Sequence, residues 1–118
     1  MKIAFTADLH LTTLSKNPER FQALSDIFRQ CSEEKIQLLV IAGDLFDKTM
    51  ANYADFEHIY QKDCPNGLKT IVIPGNHDQT LSPAQITGEG LVIYDQPVLQ
   101  PLNNSRKILF LPYQTGKS

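Results

Sequence analysis

The chain has 118 residues, 42% hydrophobic and 20% charged, with a net charge of −2 and a pI near 5.8. That is the size of one domain around a single core (residues 1–118), too short for two, and no global positive field advertises nucleic-acid binding. No apolar run approaches the roughly 20 residues of a membrane span, so no membrane partner is expected.

From the first residues, Met1-Lys2-Ile3-Ala4-Phe5 enters a strand-like run with no signal-peptide layout. Ile3 to Ala7 is nearly continuous in apolar character and stops at Asp8-Leu9-His10. After a loop, Asn17-Pro18-Glu19 reads as an N-cap followed by proline and acid in a first helical turn. Phe21, Leu24, Ile27, Phe28 and Cys31 then recur at the spacing of an amphipathic helix, expected near 18–34. Leu38 to Ala42 reads as a strand buried on both faces, ended by Gly43-Asp44. Tyr53, Phe56, Ile59 and Tyr60 mark a second, shorter helix, and Thr70 to Ile73 a third buried strand stopped by Pro74-Gly75. Such alternation predicts an α/β fold: a parallel sheet with crossover helices on its faces. Beyond residue 80 prolines and glycines punctuate short apolar runs at Leu91–Tyr94 and Ile108–Leu111, which read as the start of a second sheet. Cys31 and Cys64 lack C-x-x-C spacing and read as reduced, space-filling thiols, which fits a cytoplasmic protein.

Three polar clusters stand where the three strands end: Asp8-Leu9-His10, Gly43-Asp44-Leu45-Phe46-Asp47, and Gly75-Asn76-His77-Asp78. Ligands of open α/β sheets bind beyond the carboxyl ends of the strands, and parallel neighbours bring all three clusters to one edge. An Asp and a His separated by one residue can face one ion from a tight turn. A carboxylate such as Asp44 has two oxygens and can bridge two cations, and an Asn oxygen is a neutral ligand. This mixture suits manganese, iron, zinc or cobalt. Gly43 and Gly75 permit the sharp turns that aim the side chains. Each piece alone is weak; the three in order, each after a buried strand, are a specific signal.

The arrangement resembles the calcineurin-like metallophosphoesterase superfamily, whose signature runs D-x-H, G-D, G-N-H-[DE], a lone histidine, then G-H-x-H. The resemblance covers residues 1 to about 80. It implies the N-terminal part of an α/β sandwich and two divalent metal ions, manganese above all. Asp8 and His10 would ligate the first metal, Asp44 would bridge both, and Asn76 would ligate the second. His77, oriented by Asp78, would assist the leaving group. The implied reaction is in-line attack by a metal-bridging hydroxide on a phosphoester.

The three histidines are His10, His58 and His77, so the two later histidine motifs have no counterpart. That fits a truncated domain, and it predicts at most one ion and near-background hydrolysis for the 118-residue chain. His58, beside Glu57, reads as a solvated helix histidine. Gly116-Lys117-Ser118 mimics the end of a P-loop, but Leu111 stands where its first glycine belongs. The Asp-Arg-Gly that phosphoprotein phosphatases carry is replaced by Asp47-Lys48-Thr49. Asp47 itself fits a loop or capping acid as well as one that orients a ligand. Gly43-Asp44-Leu45-Phe46-Asp47, a long first crossover helix and Leu111-Pro112-Tyr113 are closer to the DNA-repair exonuclease branch, the SbcD-type nuclease subunits. Ala7-Asp8-Leu9-His10-Leu11 is shared with lipid-precursor pyrophosphohydrolases, which tend to replace the third-motif histidine that this chain keeps as His77. The branch implies DNA as phosphodiester substrate and leaves room for an ATPase partner subunit. Three rival readings stand beside it: a non-catalytic remnant acting as an interaction module, a small-molecule phosphodiesterase or pyrophosphohydrolase, and an enzyme completed by a partner chain or homo-oligomer.

Overall fold

A computed structural model of the chain describes residues 2–47, 53–75, 81, 85–102 and 105–112. The element order is β1 (Ile3–Thr6), α1 (Pro18–Glu33), β2 (Leu38–Ala42), α2 (Tyr53–Asp63), β3 (Lys69–Ile73), β4 (Leu91–Ile93), β5 (Val98–Pro101) and β6 (Lys107–Phe110). Among the described residues the first four strands form a parallel sheet in the order β1-β2-β3-β4, and β5-β6 form a separate antiparallel pair. The α/β class and the first three strands are as expected. Leu91–Ile93, however, joins the first sheet beside β3 instead of opening a second one, with Thr70 opposite Leu91 and Val72 opposite Ile93. The second sheet begins at Val98.

Because successive strands are added in one direction, right-handed crossovers place both helices on the same face. The expected crossover helices are thus both found on one side of the sheet. On the helical face, Phe21, Leu24 and Phe28 of α1 and Phe56, Ile59 and Tyr60 of α2 pack on Leu39, Ile41, Val72 and Ile93. On the other face Phe110, with Ile108 and Leu102, covers Leu38, Val40 and Ile71. β2 is thus buried on both sides, which is why its sequence is continuously apolar. The β5-β6 pair turns a second apolar side outward, where Leu99 stands opposite Leu109 and both are exposed, as is Leu111.

Helix α1 shows how local sequence sets the boundaries. Pro18 occupies the first turn, as expected, but Asn17 makes no side-chain cap. Its side-chain oxygen accepts from the Thr12 hydroxyl at 2.7 Å, and its amide donates to Glu19 at 3.0 Å, so the cap acceptor is already engaged. That amide bond holds the Glu19 carboxyl below its usual value. At the far end the Ile36 N–H donates to the Cys31 carbonyl and the Lys35 N–H to that of Ser32, with Lys35 at φ 56°. This is the Schellman ending, with lysine in the place usually taken by glycine. No helix among the described residues is long and apolar enough to cross a membrane.

Candidate metal centre

The segments that follow β1 and β2 run side by side and are held together by backbone hydrogen bonds. The Asp8 N–H donates to the Gly43 carbonyl at 3.1 Å, His10 to Asp44 at 3.0 Å and Leu11 to Leu45 at 2.8 Å, and Asp47 donates back to Leu11 at 2.8 Å. The intervening apolar residues anchor the pair: Leu11, Leu45 and Phe46 are buried in the core, and Phe46 stacks edge-on against Tyr53 and Phe56 of α2. Alternation between anchor and polar residue leaves the side chains of Asp8, His10 and Asp44 together at the carboxyl edge of the sheet.

One ligand atom from each of Asp8, His10 and Asp44 lies within 4.8 Å of the others. The His10 Nε2 stands 3.9 Å from an Asp8 carboxylate oxygen. Two ligand atoms bonded at about 2.1 Å to one ion are about 3.0 Å apart at a right angle and about 4.2 Å apart when opposite. The group is therefore spaced for a shared cation after small side-chain adjustments, and two carboxylates with an imidazole suit a divalent ion of the manganese, iron or zinc type.

The backbone carries the mark of a built site. Asp8 (φ 60°), His10 (φ 51°) and Asp44 (φ 53°) are all left-handed, a conformation costing a non-glycine residue roughly 1–2 kcal/mol. Besides Lys35 at its helix end, they are the non-glycine residues of this kind among the described residues. Strain of this sort collects where geometry serves a site. Gly75, at the start of the third motif, closes against them: a Cβ there would lie 2.6 Å from the Asp44 nitrogen and 2.9 Å from the Gly43 Cα.

Asn76, His77 and Asp78, together with Lys48, Thr49 and Tyr113, lie outside the described residues. His58 is exposed on α2 and does not belong to the cluster. Cys31 and Cys64 are free thiols, and burial pushes both above the ordinary value of 9.0, which suits inert filler. A cavity of about 600 Å³ lies at the opposite end of the sheet, lined by Tyr60, Cys64, Lys69 and Gly90 among others, with no member of the cluster in its wall. Sequence reasoning missed Arg20, whose guanidinium donates to the His10 carbonyl at 2.7 Å and stands 3.9 Å from Asp47. The available signal was an arginine in a first helical turn, where the helix dipole disfavours a cation.

The pattern described as calcineurin-like phosphoesterase matches residues 1–115 of the chain. The DNA double-strand break repair protein Mre11 of Nanoarchaeum equitans is 31% identical over 87 residues, covering 64% of this chain and 23% of that protein. The chain thus spans less than a quarter of the length of that relative.

Proposed function

The chain belongs to the calcineurin-like phosphoesterase family, and on that footing we propose that it provides the first half of a metal-dependent phosphodiesterase domain acting on DNA. The observation that carries this reading is the Asp8–His10–Asp44 cluster at the carboxyl edge of the sheet. The Mre11 relative and the Gly43-Asp44-Leu45-Phe46-Asp47 segment favour a nuclease over a phosphoprotein phosphatase.

Asp8 and His10 would hold one divalent cation, Asp44 would share its carboxylate between two, and Asn76 would serve the second. Bound cations would supply Lewis acidity toward the phosphate and lower the pKa of water. His77, oriented by Asp78, would protonate the leaving oxygen. Manganese is the preferred ion of the proposal, and further imidazoles would come from a continuation of the domain or from a partner subunit, since His10, His58 and His77 are the histidines of this chain.

Restored to a domain that also carries the later histidines, the protein should cleave bis-(p-nitrophenyl) phosphate and single-stranded DNA ends with manganese, and should ignore phosphoserine peptides. Preference for a phosphopeptide over every DNA substrate would sink the nuclease assignment while leaving family membership intact.

A further inference from the structure

His10 is held by its backbone from both sides. Its N–H donates to the Asp44 carbonyl at 3.0 Å, and its own carbonyl accepts from the Arg20 guanidinium at 2.7 Å. Both peptide groups flanking a left-handed residue (φ 51°) are therefore tied down. Relaxing His10 to an ordinary backbone conformation would break both bonds and swing the imidazole away from Asp8, 3.9 Å from it now. The donor on the carbonyl side is a charged one, and such hydrogen bonds are about twice as strong as neutral ones.

Arg20 itself is anchored from two directions. It stands in the first turn of α1, where its charge opposes the helix dipole, so a tertiary role has to outweigh a local cost. The partner is Asp47, whose carboxylate lies 3.9 Å from the guanidinium and whose N–H donates to the Leu11 carbonyl, one residue beyond His10. One side chain thus joins three pieces of the chain: the start of α1, the segment carrying Asp8 and His10, and the segment carrying Asp44. Both contacts are made by one nitrogen, Nη1; lysine could reach the carbonyl, but with a flexible point charge in place of a rigid planar guanidinium.

We propose that Arg20 is a positioning residue that holds the His10 backbone in its left-handed conformation, and so its imidazole on the cation, with Asp47 steering the guanidinium. The inference rests on Asp8, His10 and Asp44 being metal ligands. It gives Asp47 a definite task, orienting Arg20.

The test uses the full 118-residue chain and manganese alone, with binding followed by the electron paramagnetic resonance of free Mn²⁺. Melting and the His10 imidazole NMR signals are read on the metal-free protein. Arg20→Ala is expected to weaken manganese binding by about 10–100-fold, the usual cost of losing a group that orients a ligand. Its His10 signals should broaden, and its melting temperature should fall by several degrees, the cost of one charged hydrogen bond. Arg20→Lys and Asp47→Asn should fall between it and the wild type, and His10→Ala should lose the site. If His10→Ala loses binding while Arg20→Ala titrates like the wild type with unchanged His10 signals, the positioning role is overturned and the metal-centre reading stands. If His10→Ala and the wild type titrate alike, the metal-centre reading itself falls and the inference with it. Should Arg20→Ala lose its fold, Arg20→Lys decides: a several-fold weaker site at unchanged melting supports the role, and wild-type affinity overturns it.

Discussion

Gly75→Ala is a single-methyl probe of how tightly the site is built. The new Cβ would lie 2.6 Å from both the nitrogen and a carboxylate oxygen of Asp44, and 2.9 Å from the Gly43 Cα. Comfortable separation is about 3.5–4.0 Å, so the two segments must part by about 1 Å. Two of the three opposing atoms are backbone, and that backbone holds Asp8 and His10 through the Gly43 and Asp44 carbonyls. The shift therefore cannot be absorbed by a side-chain rotation. Overpacking of this kind costs about 1–3 kcal/mol, which at about 4 °C per kcal/mol for a chain of this size lowers melting by roughly 4–12 °C. Because Asp44 is displaced, manganese binding should weaken by at least about tenfold. Gly67→Ala is the control. Gly67 is also left-handed (φ 84°), but an added Cβ meets nothing within 4 Å, so it should cost about 1–2 kcal/mol of strain and leave metal binding unchanged. Circular-dichroism melts and manganese titrations of the two variants separate the effects. Wild-type affinity in Gly75→Ala, or equal weakening in Gly67→Ala, would refute the reasoning.

Three further outcomes are expected, the last from the proposed function alone. Phe28, fully buried and edge-on to Tyr60, should cost about 3–5 kcal/mol when replaced by alanine, seen as a lower urea midpoint with metal affinity kept once the chain is folded. Burial raises the thiols of Cys31 and Cys64 and the phenol of Tyr60. The unfolded chain therefore gives up these protons first as pH rises. Their contribution to stability is full below the ordinary thiol value of 9.0 and declines above it, which urea titrations from pH 8 to 11 will show. In a domain that carries the later histidines, His77→Ala should keep metal binding while lowering turnover by about 10²–10⁴-fold; lost binding with unchanged turnover would reverse the assigned roles.

Much of the fold was legible because its elements are periodic. The stripe of Phe21, Leu24, Phe28 and Cys31 and the run of Leu38 to Ala42 each carry their burial in their spacing. Leu91–Ile93 was misplaced because so short a run shows no period, and the turn before it is tied to its neighbours by long-range bonds, Thr70 N–H to the Gly90 carbonyl and the Tyr60 hydroxyl to that of Glu89, which sequence spacing does not encode. The Asn17 cap failed because Thr12, five residues earlier, takes the acceptor. At the site, residue type and strand context brought Asp8, His10 and Asp44 into view. Their shared left-handed backbone did not show, because Asp and His are explained at such positions by chemistry before conformation. Arg20 was hidden for a different reason: it acts on a main-chain carbonyl, and a carbonyl leaves no trace in residue identity.

The central claim is that Asp8, His10 and Asp44 hold a divalent cation, and anomalous diffraction from manganese-soaked crystals of the chain tests it most directly. The account predicts an anomalous peak within about 2.0–2.5 Å of a carboxylate oxygen of Asp8, a ring nitrogen of His10 and a carboxylate oxygen of Asp44, lost in Asp44→Ala crystals. A peak elsewhere, or none among these three side chains at millimolar manganese, would contradict it.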